Sequence, residues 1–262
     1  MNFFEVIFIQ PALNLLLFFH FIAQTIGLPF SFGFSIVFLT IAVRLILAPI
    51  TAAQLKSAAR TAALRPKLTE LTKKHGSDKQ ALARAQMELY KQHGVNPAAG
   101  CLPLILQIPV FIALYQVLLR VLANGGDFAG VNHLAYLSFL QLEGPPDINF
   151  FGFNLAARPS DFAKVGLQLL AIPPITAAFQ FWQSRQMMAT QPKSQVEKNK
   201  TEDKKPTMEE TMGQIQSQMV YLMPAMIGFF SFGFPVGLSL YWNIFTIFGI
   251  GQQYLINRST KK

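Results

Sequence analysis

An arginine in the middle of an apolar segment is the most unusual residue of this sequence. Arg44 is flanked by Thr-Ile-Ala-Val and Leu-Ile-Leu-Ala, within a run long enough to cross a bilayer as a helix. An arginine at mid-membrane costs roughly 2.5–3.5 kcal/mol on insertion scales, so it usually faces protein or water. About nine residues, or ~14 Å of helix, separate it from the basic end of the run, which is far for snorkelling to the interface. We therefore interpret Arg44 as a fixed positive charge inside the membrane.

Hydroxyl and amide side chains on other apolar segments are candidates to share a pocket with this arginine. Every acidic residue lies in a loop or near the end of a segment, so no carboxylate inside the membrane is predicted to neutralise Arg44. On helical spacing Thr40 lies one turn before it, and Thr176, Gln180 and Gln183 share one face of a later segment. We predict a polar pocket open to the cytoplasm, with the arginine at its base. Its expected lining residues are Arg44, Thr40, Gln107, Thr176, Gln180, Gln183 and Thr246, with Gln252 and Gln253 as further amides.

Such a pocket suits the passage of a polar, often acidic, segment part-way across the bilayer. It shortens the distance over which the segment is unsolvated, while apolar flanks of the segment slide past phenylalanine-rich helices into lipid. Each glutamine alone has a simpler interpretation as a hydrogen bond between helices. Gln116, Gln168 and Asn243 fall toward the opposite half of their segments, so the polar pattern is not confined to one side.

Residues for covalent chemistry are not arranged for catalysis. The four histidines are not spaced as metal ligands, and Cys101 lies between Gly100 and Leu102 without a basic activator. The segment from Gly237 to Tyr241 lacks the second glycine of a nucleophile elbow, and no phosphate-binding loop is present. We therefore expect no enzyme activity, no cofactor and no metal, which also argues against an intramembrane protease.

The composition predicts the elements that position these residues. Of 262 residues, 52% are hydrophobic and only 13% are charged, about half the usual charged share of ~25%. We predict an all-α integral membrane protein rather than a secreted disulfide scaffold, a disordered tail protein or a soluble nucleic-acid module. Five segments are expected to cross the membrane: 31–53, 98–122, 162–184 and, as a tight hairpin within 218–257, 218–235 and 237–257.

The segment 1–30 is apolar but ambiguous. Polar residues such as Gln10, Asn14 and His20 punctuate it, so we favour a helix in the interface over a sixth span. No secretory signal is evident, because the segment lacks a basic start and a small-residue cleavage site.

The positive charges predict the orientation. Eighteen of the 22 Lys and Arg residues lie in 51–97, 185–217 and the basic tail 258–262, whereas the loop 123–161 holds only Arg158 against four acids. The positive-inside rule places the three basic regions in the cytoplasm and the loop 123–161 outside, with the N-terminus outside as well.

Two cytoplasmic regions differ in character. The segment 54–97 has apolar residues at helical spacing, and His75-Gly76 with the capping box Ser77 and Gln80 predicts a break between two antiparallel helices. A charged linker is the alternative, although a linker would not need this length. Residues 190–211, within the loop 185–217, are polar and aperiodic, which predicts a flexible loop.

A set of short motifs follows the chain in a characteristic order. They read IAVRLILAP at 41–49, LYKQHG at 89–94, GVNPAAGCLPLILQIPVFIALY at 94–115, Met223-Pro224, PVGLSLYW at 235–242 and Gln252-Gln253-Tyr254. These motifs resemble those of the YidC/Oxa/Alb membrane protein insertases, and the likeness extends along nearly the whole chain. Gln10-Pro11 and the helix after it resemble the external interfacial helix of that family.

The resemblance implies a function and a site. It implies a five-helix core around a hydrophilic groove, in which Arg44 attracts acidic residues of a nascent membrane protein and to which we add Trp242. It implies that the third and fifth spans form an apolar slide and that the cytoplasmic hairpin helps to receive the substrate. The expected partners are nascent membrane proteins, the lipid bilayer and the Sec translocon, and the expected location is the bacterial plasma membrane.

Some features depart from that family. The hairpin has Ala58, Ala59 and Ala62 where relatives are often rich in methionine, and Thr246 stands where the family often has Asn. The tail after Tyr254 is only eight residues, which weakens the expectation of ribosome binding. A small-anion or solute transporter that uses Arg44 remains the alternative function, although no internal repeat supports it.

Overall fold

The computed structural model describes residues 2–75, 78–95, 102–122, 128–189 and 208–260. These residues are mostly helical, which confirms the predicted helical class. The strands described are two short ones, β1 (Asn149–Phe150) and β2 (Phe153–Asn154), which pair as an antiparallel hairpin. Cys101 and most of the predicted loop 190–211 lie outside the described residues.

The first two helices meet at one end of the bundle. A short π-helix, Glu5–Ile9, continues into α1 (Gln10–Thr25), and α2 (Ser31–Ala63) follows after a short turn. We call the end of the bundle at which α2 begins the head end. Phe19 of α1 contacts Phe38 of α2, with 5.9 Å between the ring centroids, and the amide of Asn14 donates to the carbonyl of Leu134 at 2.8 Å. The Asn14 bond connects α1 to the residue directly after the short helix Phe128–His133.

Two described stretches, Glu5–Thr25 and Ser31–Thr61, are long and apolar enough to cross a membrane. Two further helices, Gln107–Leu122 and Gln218–Ser231, are apolar but shorter. The helix α2 continues past its apolar part without a break, so that its 33 residues extend for about 50 Å.

A helical hairpin follows α2. It consists of α3 (Arg65–His75) and α4 (Lys79–Gln92), and a small apolar cluster of Leu64, Leu68 and Val95 joins its ends. The predicted cap at Ser77, which lies outside the described residues, was wrong, because Asp78 is the N-cap of α4. Its carboxylate accepts from the main-chain N–H groups of Gln80 and Ala81 at 2.9 and 3.0 Å. These bonds lower the pKa of Asp78, with the Ala81 N–H making the largest contribution.

The second long helix, α5 (Leu102–Leu122), leads back to the head end. Near its last turn Arg120 forms an ion pair with Glu5 at 2.9 Å, and both side chains are partly covered. A short helix, α6 (Phe128–His133), and an irregular segment with the β1–β2 hairpin follow. This segment packs against the buried core through Leu140 and Leu155.

The expected span 162–184 differs from the helix that forms. The chain makes a single turn, α7 (Phe162–Val165), and then breaks at Gly166, whose φ of +143° favours glycine. A 3-10 turn follows at Leu167–Ala171, and the long helix α8 runs from Ile172 to Ala189. Two prolines, at 173 and 174, lie in its first turn, where the missing N–H groups have no helical partner to lose.

The last two helices complete the bundle. The helix α9 (Met208–Ser231) packs along α8, and Gly228 allows this approach because a Cβ there would press on the Cβ of Ala177. The helix α10 (Val236–Thr260) contacts α2, α5 and α8. The core at the head end is apolar and includes Leu17, Phe32, Val117, Leu155 and Leu238.

Candidate functional site

Arg44 lies where α2 meets α10, and it is covered. Only 6% of the residue is exposed. Its Nε and Nη2 atoms both donate to the main-chain carbonyl of Phe245, at 2.9 and 2.5 Å, and its Cζ atom lies 3.3 Å from the centroid of the Phe245 ring. Among the described residues, no carboxylate forms an ion pair with Arg44. One neutral residue therefore supplies both a carbonyl and an aromatic face to a buried cation.

Gly249, one helical turn after Phe245, makes room for this contact. A Cβ at Gly249 would collide with Nη2 of Arg44 and with Nε2 of Gln183. Arg44 from α2 and Gln183 from α8 therefore approach the same point on α10. This point is the junction of three of the helices that the sequence predicts to line the pocket.

The other predicted amides connect α10 to its neighbours. The indole Nε1 of Trp242 donates to Oε1 of Gln180 at 3.1 Å, and the Trp242 ring packs edge-on against Phe111 with 5.4 Å between centroids. On α5, the amide of Gln107 donates to the hydroxyl of Tyr241 at 2.9 Å. These contacts are interhelix hydrogen bonds, the simpler of the two interpretations that the sequence allows.

Tyr241 links this network to the arginine. It is almost fully buried, and its ring lies 5.7 Å from that of Phe245 between centroids. A continuous path of contacts thus runs from Gln107 through Tyr241 and Phe245 to Arg44.

The predicted threonines are buried but differ in their hydrogen bonding. The hydroxyl of Thr40 donates to the carbonyl of Ile36 in its own helix at 2.6 Å. Thr176 and Thr246 are each 1% exposed. The Thr176 hydroxyl is a buried polar group without a hydrogen-bond partner within the described part of the chain.

Three residues of this junction were not predicted from the sequence as site residues. Tyr241, Phe245 and Gly249 recur at a spacing of four on α10, which places them on one helical face. Tyr241 and Phe245 give no sequence signal of contact with a cation, because aromatic residues are ordinary in an apolar helix. Gly249 gives the one available signal, because a glycine inside a helix can indicate close approach of another group. Of the further amides, Gln252 donates to the carbonyl of Ala48 at 3.3 Å and Gln253 is buried.

The arrangement differs from the expected one in one respect. The sequence predicts an arginine at the base of an open pocket, whereas Phe245 covers the guanidinium in this structure. Within the described residues, no three His, Cys, Asp or Glu side chains come together as a metal site. The site can bind an anionic group electrostatically if the group replaces Phe245 at the guanidinium.

Comparison with known proteins identifies the relatives of this chain. Residues 21–262 match the family described as 60Kd inner membrane protein. The chain is also similar to proteins named membrane protein insertase YidC. That of Ectopseudomonas mendocina is 34% identical over 232 residues, which cover 88% of this chain and 32% of the relative.

Two other relatives have a length closer to that of this chain. The insertase of Oceanobacillus iheyensis is 34% identical over 234 residues, covering 87% of this chain and 75% of the relative. The insertase of Streptomyces avermitilis is 30% identical over 240 residues, covering 87% of this chain and 52% of the relative. The chain thus spans about a third of the length of its Ectopseudomonas relative and three quarters of that from Oceanobacillus. The resemblance drawn from the sequence motifs is confirmed.

Proposed function

Because the chain belongs to the 60Kd inner membrane protein family, we propose that it is a membrane protein insertase and chaperone. It receives nascent membrane proteins from the cytoplasm in a positively charged groove between α2, α8 and α10 and releases them into the lipid bilayer. The observation that carries this proposal is Arg44, a buried cation in an apolar helix that is held by the neutral residue Phe245.

The chemistry of Arg44 favours exchange of this partner. A carboxylate forms a bidentate, charge-assisted pair with a guanidinium, and such bonds are roughly twice as strong as bonds between neutral groups. In a medium of low dielectric constant the attraction is larger still. An acidic residue of a substrate is therefore expected to displace the Phe245 contact, while Thr40, Gln107, Thr176, Gln180, Gln183, Trp242 and Thr246 supply polar groups along the rest of the groove.

The proposed architecture has five spans, formed by α2, α5, α8, α9 and α10. The uneven charge distribution supports a cytoplasmic location for the α3–α4 hairpin and the C-terminus, and an external location for the head end and the N-terminus. We place α1 in the outer interface. Its contacts with Phe38, Leu134 and the head end of the bundle support this over a sixth span, even though its length and composition would allow one.

The proposed partners follow from the same orientation. The basic α3–α4 hairpin faces the cytoplasm, where nascent chains arrive. We propose that the protein works alone on small substrates and with the Sec translocon on others, with at most a minor contribution from the ribosome. The bacterial plasma membrane is the proposed location, with no catalytic step and no cofactor.

Insertion into proteoliposomes tests this function. The purified chain is reconstituted, a small single-span protein with an acidic N-terminal tail is synthesised in its presence, and protease protection of that tail is measured. Protection above that in empty liposomes is expected. No gain, with the protein shown to be folded and correctly oriented, would contradict autonomous insertion.

The same liposomes test the alternative. A small-anion or solute transporter would give saturable solute flux that depends on Arg44. Flux without tail protection would replace the insertase proposal, whereas tail protection without flux would support it.

A further inference from the structure

The β1–β2 hairpin has a tight turn that carries an aromatic residue in a strained conformation. Its strands pair Asn149 with Asn154 and Phe150 with Phe153, which leaves Phe151 and Gly152 as the turn. Both turn residues have positive φ angles, +49° and +85°. A two-residue turn with two positive φ angles favours Asn-Gly, because asparagine tolerates the left-handed region far better than an aromatic residue does. Phe151 is nevertheless 64% exposed.

The side chain of Phe151 extends an aromatic cluster on α2. Its ring lies 5.1 Å from that of Phe30 and 6.2 Å from that of Phe34, measured between centroids. Phe150 lies 5.4 Å from Phe34, and Phe34 stacks on Phe38 at 6.2 Å. The hairpin is therefore held against the first turns of α2 by aromatic contacts.

Gly33 allows this close approach. A Cβ at Gly33 would collide with the ring of Phe150. The absence of a side chain at position 33 of α2 thus allows the hairpin to lie beside this helix.

The cluster is continuous with the apolar surface of α2. Phe34, Phe38 and Leu45 lie on one stripe of the helix, because spacings of seven and eleven residues return to nearly the same face. Leu45 is 58% exposed within the stretch Ser31–Thr61 that is long and apolar enough to span a membrane. In the membrane placement proposed above, an exposed leucine there faces lipid. Phe151 therefore lies at the head end of an apolar stripe that Phe19 partly covers at Phe38 and that is exposed at Leu45.

We propose that the β1–β2 hairpin is a membrane anchor, in which Phe151 inserts into the leaflet that surrounds the head end of α2. Insertion explains why an exposed turn keeps an aromatic residue where asparagine would fit the backbone better. In an apolar environment the ring is removed from water, which compensates for the backbone strain. The carboxylate of Asp147, a charged residue next to β1, accepts from the main-chain N–H of Asn149 at the base of the hairpin, away from the turn.

Fluorescence quenching tests the anchor in the full chain. Trp182 and Trp242 are replaced by phenylalanine, and the variants Phe151→Trp and Glu143→Trp are placed separately in vesicles of phosphatidylethanolamine and phosphatidylglycerol. Glu143 is the matched control, because it is exposed in the same segment of the chain. We expect lipids brominated high on the acyl chain to quench the Phe151→Trp variant severalfold more than the Glu143→Trp variant, and aqueous iodide to show the reverse order. Iodide quenching as strong in the first variant as in the second would overturn the proposal.

A second measurement covers the case in which these variants do not fold. Incorporation of p-benzoylphenylalanine at position 151 keeps the phenyl ring and leaves both tryptophans in place. Irradiation is expected to give lipid adducts of the peptide that contains residue 151. Adducts to protein in place of lipid, from a second copy or from another chain, would overturn the assignment of lipid as the occupant.

Discussion

Phe245 binds Arg44 through two different parts of the same residue. Its main-chain carbonyl accepts both hydrogen bonds described for the guanidinium, and its ring lies against the guanidinium carbon. The carbonyl remains when the side chain is changed, whereas the ring does not. Mutation of Phe245 therefore separates the two contributions, which mutation of Arg44 cannot do.

Arg44→Ala is expected to abolish most of the gain in insertion for substrates with acidic translocated tails. Arg44→Lys should also be impaired, because a lysine ammonium cannot form the bidentate pair that a guanidinium forms with a carboxylate. Protease protection of the tail in proteoliposomes measures both effects. A substrate with a neutral tail is the control, and its insertion should decrease much less. Unchanged insertion of all acidic-tailed substrates would refute the role of Arg44.

Phe245→Leu should strengthen the binding of acidic segments, because it removes the aromatic competitor and keeps the helical backbone. A cation–π contact is worth about 0.5 kcal/mol when exposed and about 2 kcal/mol when desolvated, so its removal corresponds to about a 2- to 30-fold gain in affinity. Titration of the protein in nanodiscs with a fluorescent acidic-tailed peptide measures this change. Phe248→Leu, a half-buried position on the same helix, is the matched control and should have little effect. Equal or weaker binding by Phe245→Leu would show that the ring does not compete with the substrate.

Gly249→Ala should destabilise the protein, whereas Gly251→Ala should not. Alanine is about 1 kcal/mol more favourable than glycine inside a helix, so both substitutions gain the same contribution from helix propensity. Only the Cβ at position 249 meets Gln183 and Arg44, since nothing lies within 4 Å of a Cβ at position 251. The midpoint of thermal unfolding in detergent is expected to fall for the first variant and to stay or rise for the second. Similar shifts for both would mean that the junction of α2, α8 and α10 is not tightly packed.

Acidification should weaken the start of α4. The pKa of Asp78 is lower in the folded protein than its ordinary value of 3.8, because its carboxylate accepts from main-chain N–H groups. The stabilisation is therefore complete above the ordinary pKa and is lost as the pH falls through the lowered one. Hydrogen exchange at the amides of Gln80 and Ala81, corrected for intrinsic rates, is expected to lose protection in this range.

Two substitutions control the Asp78 experiment. Asp78→Asn keeps an N-cap acceptor and cannot titrate, so its protection should not depend on pH. Asp78→Ala should show fast exchange at every pH. Loss of protection in Asp78→Asn at the same low pH would assign the effect to another group.

The sequence predicts the helical class and the membrane environment because both follow from composition and apolar run length. It also singles out Arg44, since a cation in an apolar run is visible without any contact. The sequence does not predict the partner of Arg44. Phe245 is about 200 positions away, and it binds the arginine partly through a main-chain carbonyl, which every residue carries.

Breaks within an apolar run are a second feature that the sequence does not predict. The apolar run 162–184 predicts one span, whereas the chain breaks at Gly166 and forms a 3-10 turn at Leu167–Ala171. At the start of α4, Ser77 and Asp78 are both of residue types that cap helices well, and the Asp78 carboxylate is the one that accepts from the Gln80 N–H.

The order of the helices along the chain has a consequence for the biogenesis of this protein itself. Arg44 leaves the ribosome early, on α2, whereas Phe245 and Gly249 follow only on α10, after all the other described helices have been made. During its own synthesis the protein therefore carries an arginine in the membrane that lacks its final partner. The junction cannot close before α10 has been made, so a chain truncated before α10 is expected to keep an unsatisfied cation in the bilayer and to be a target for membrane quality-control proteases.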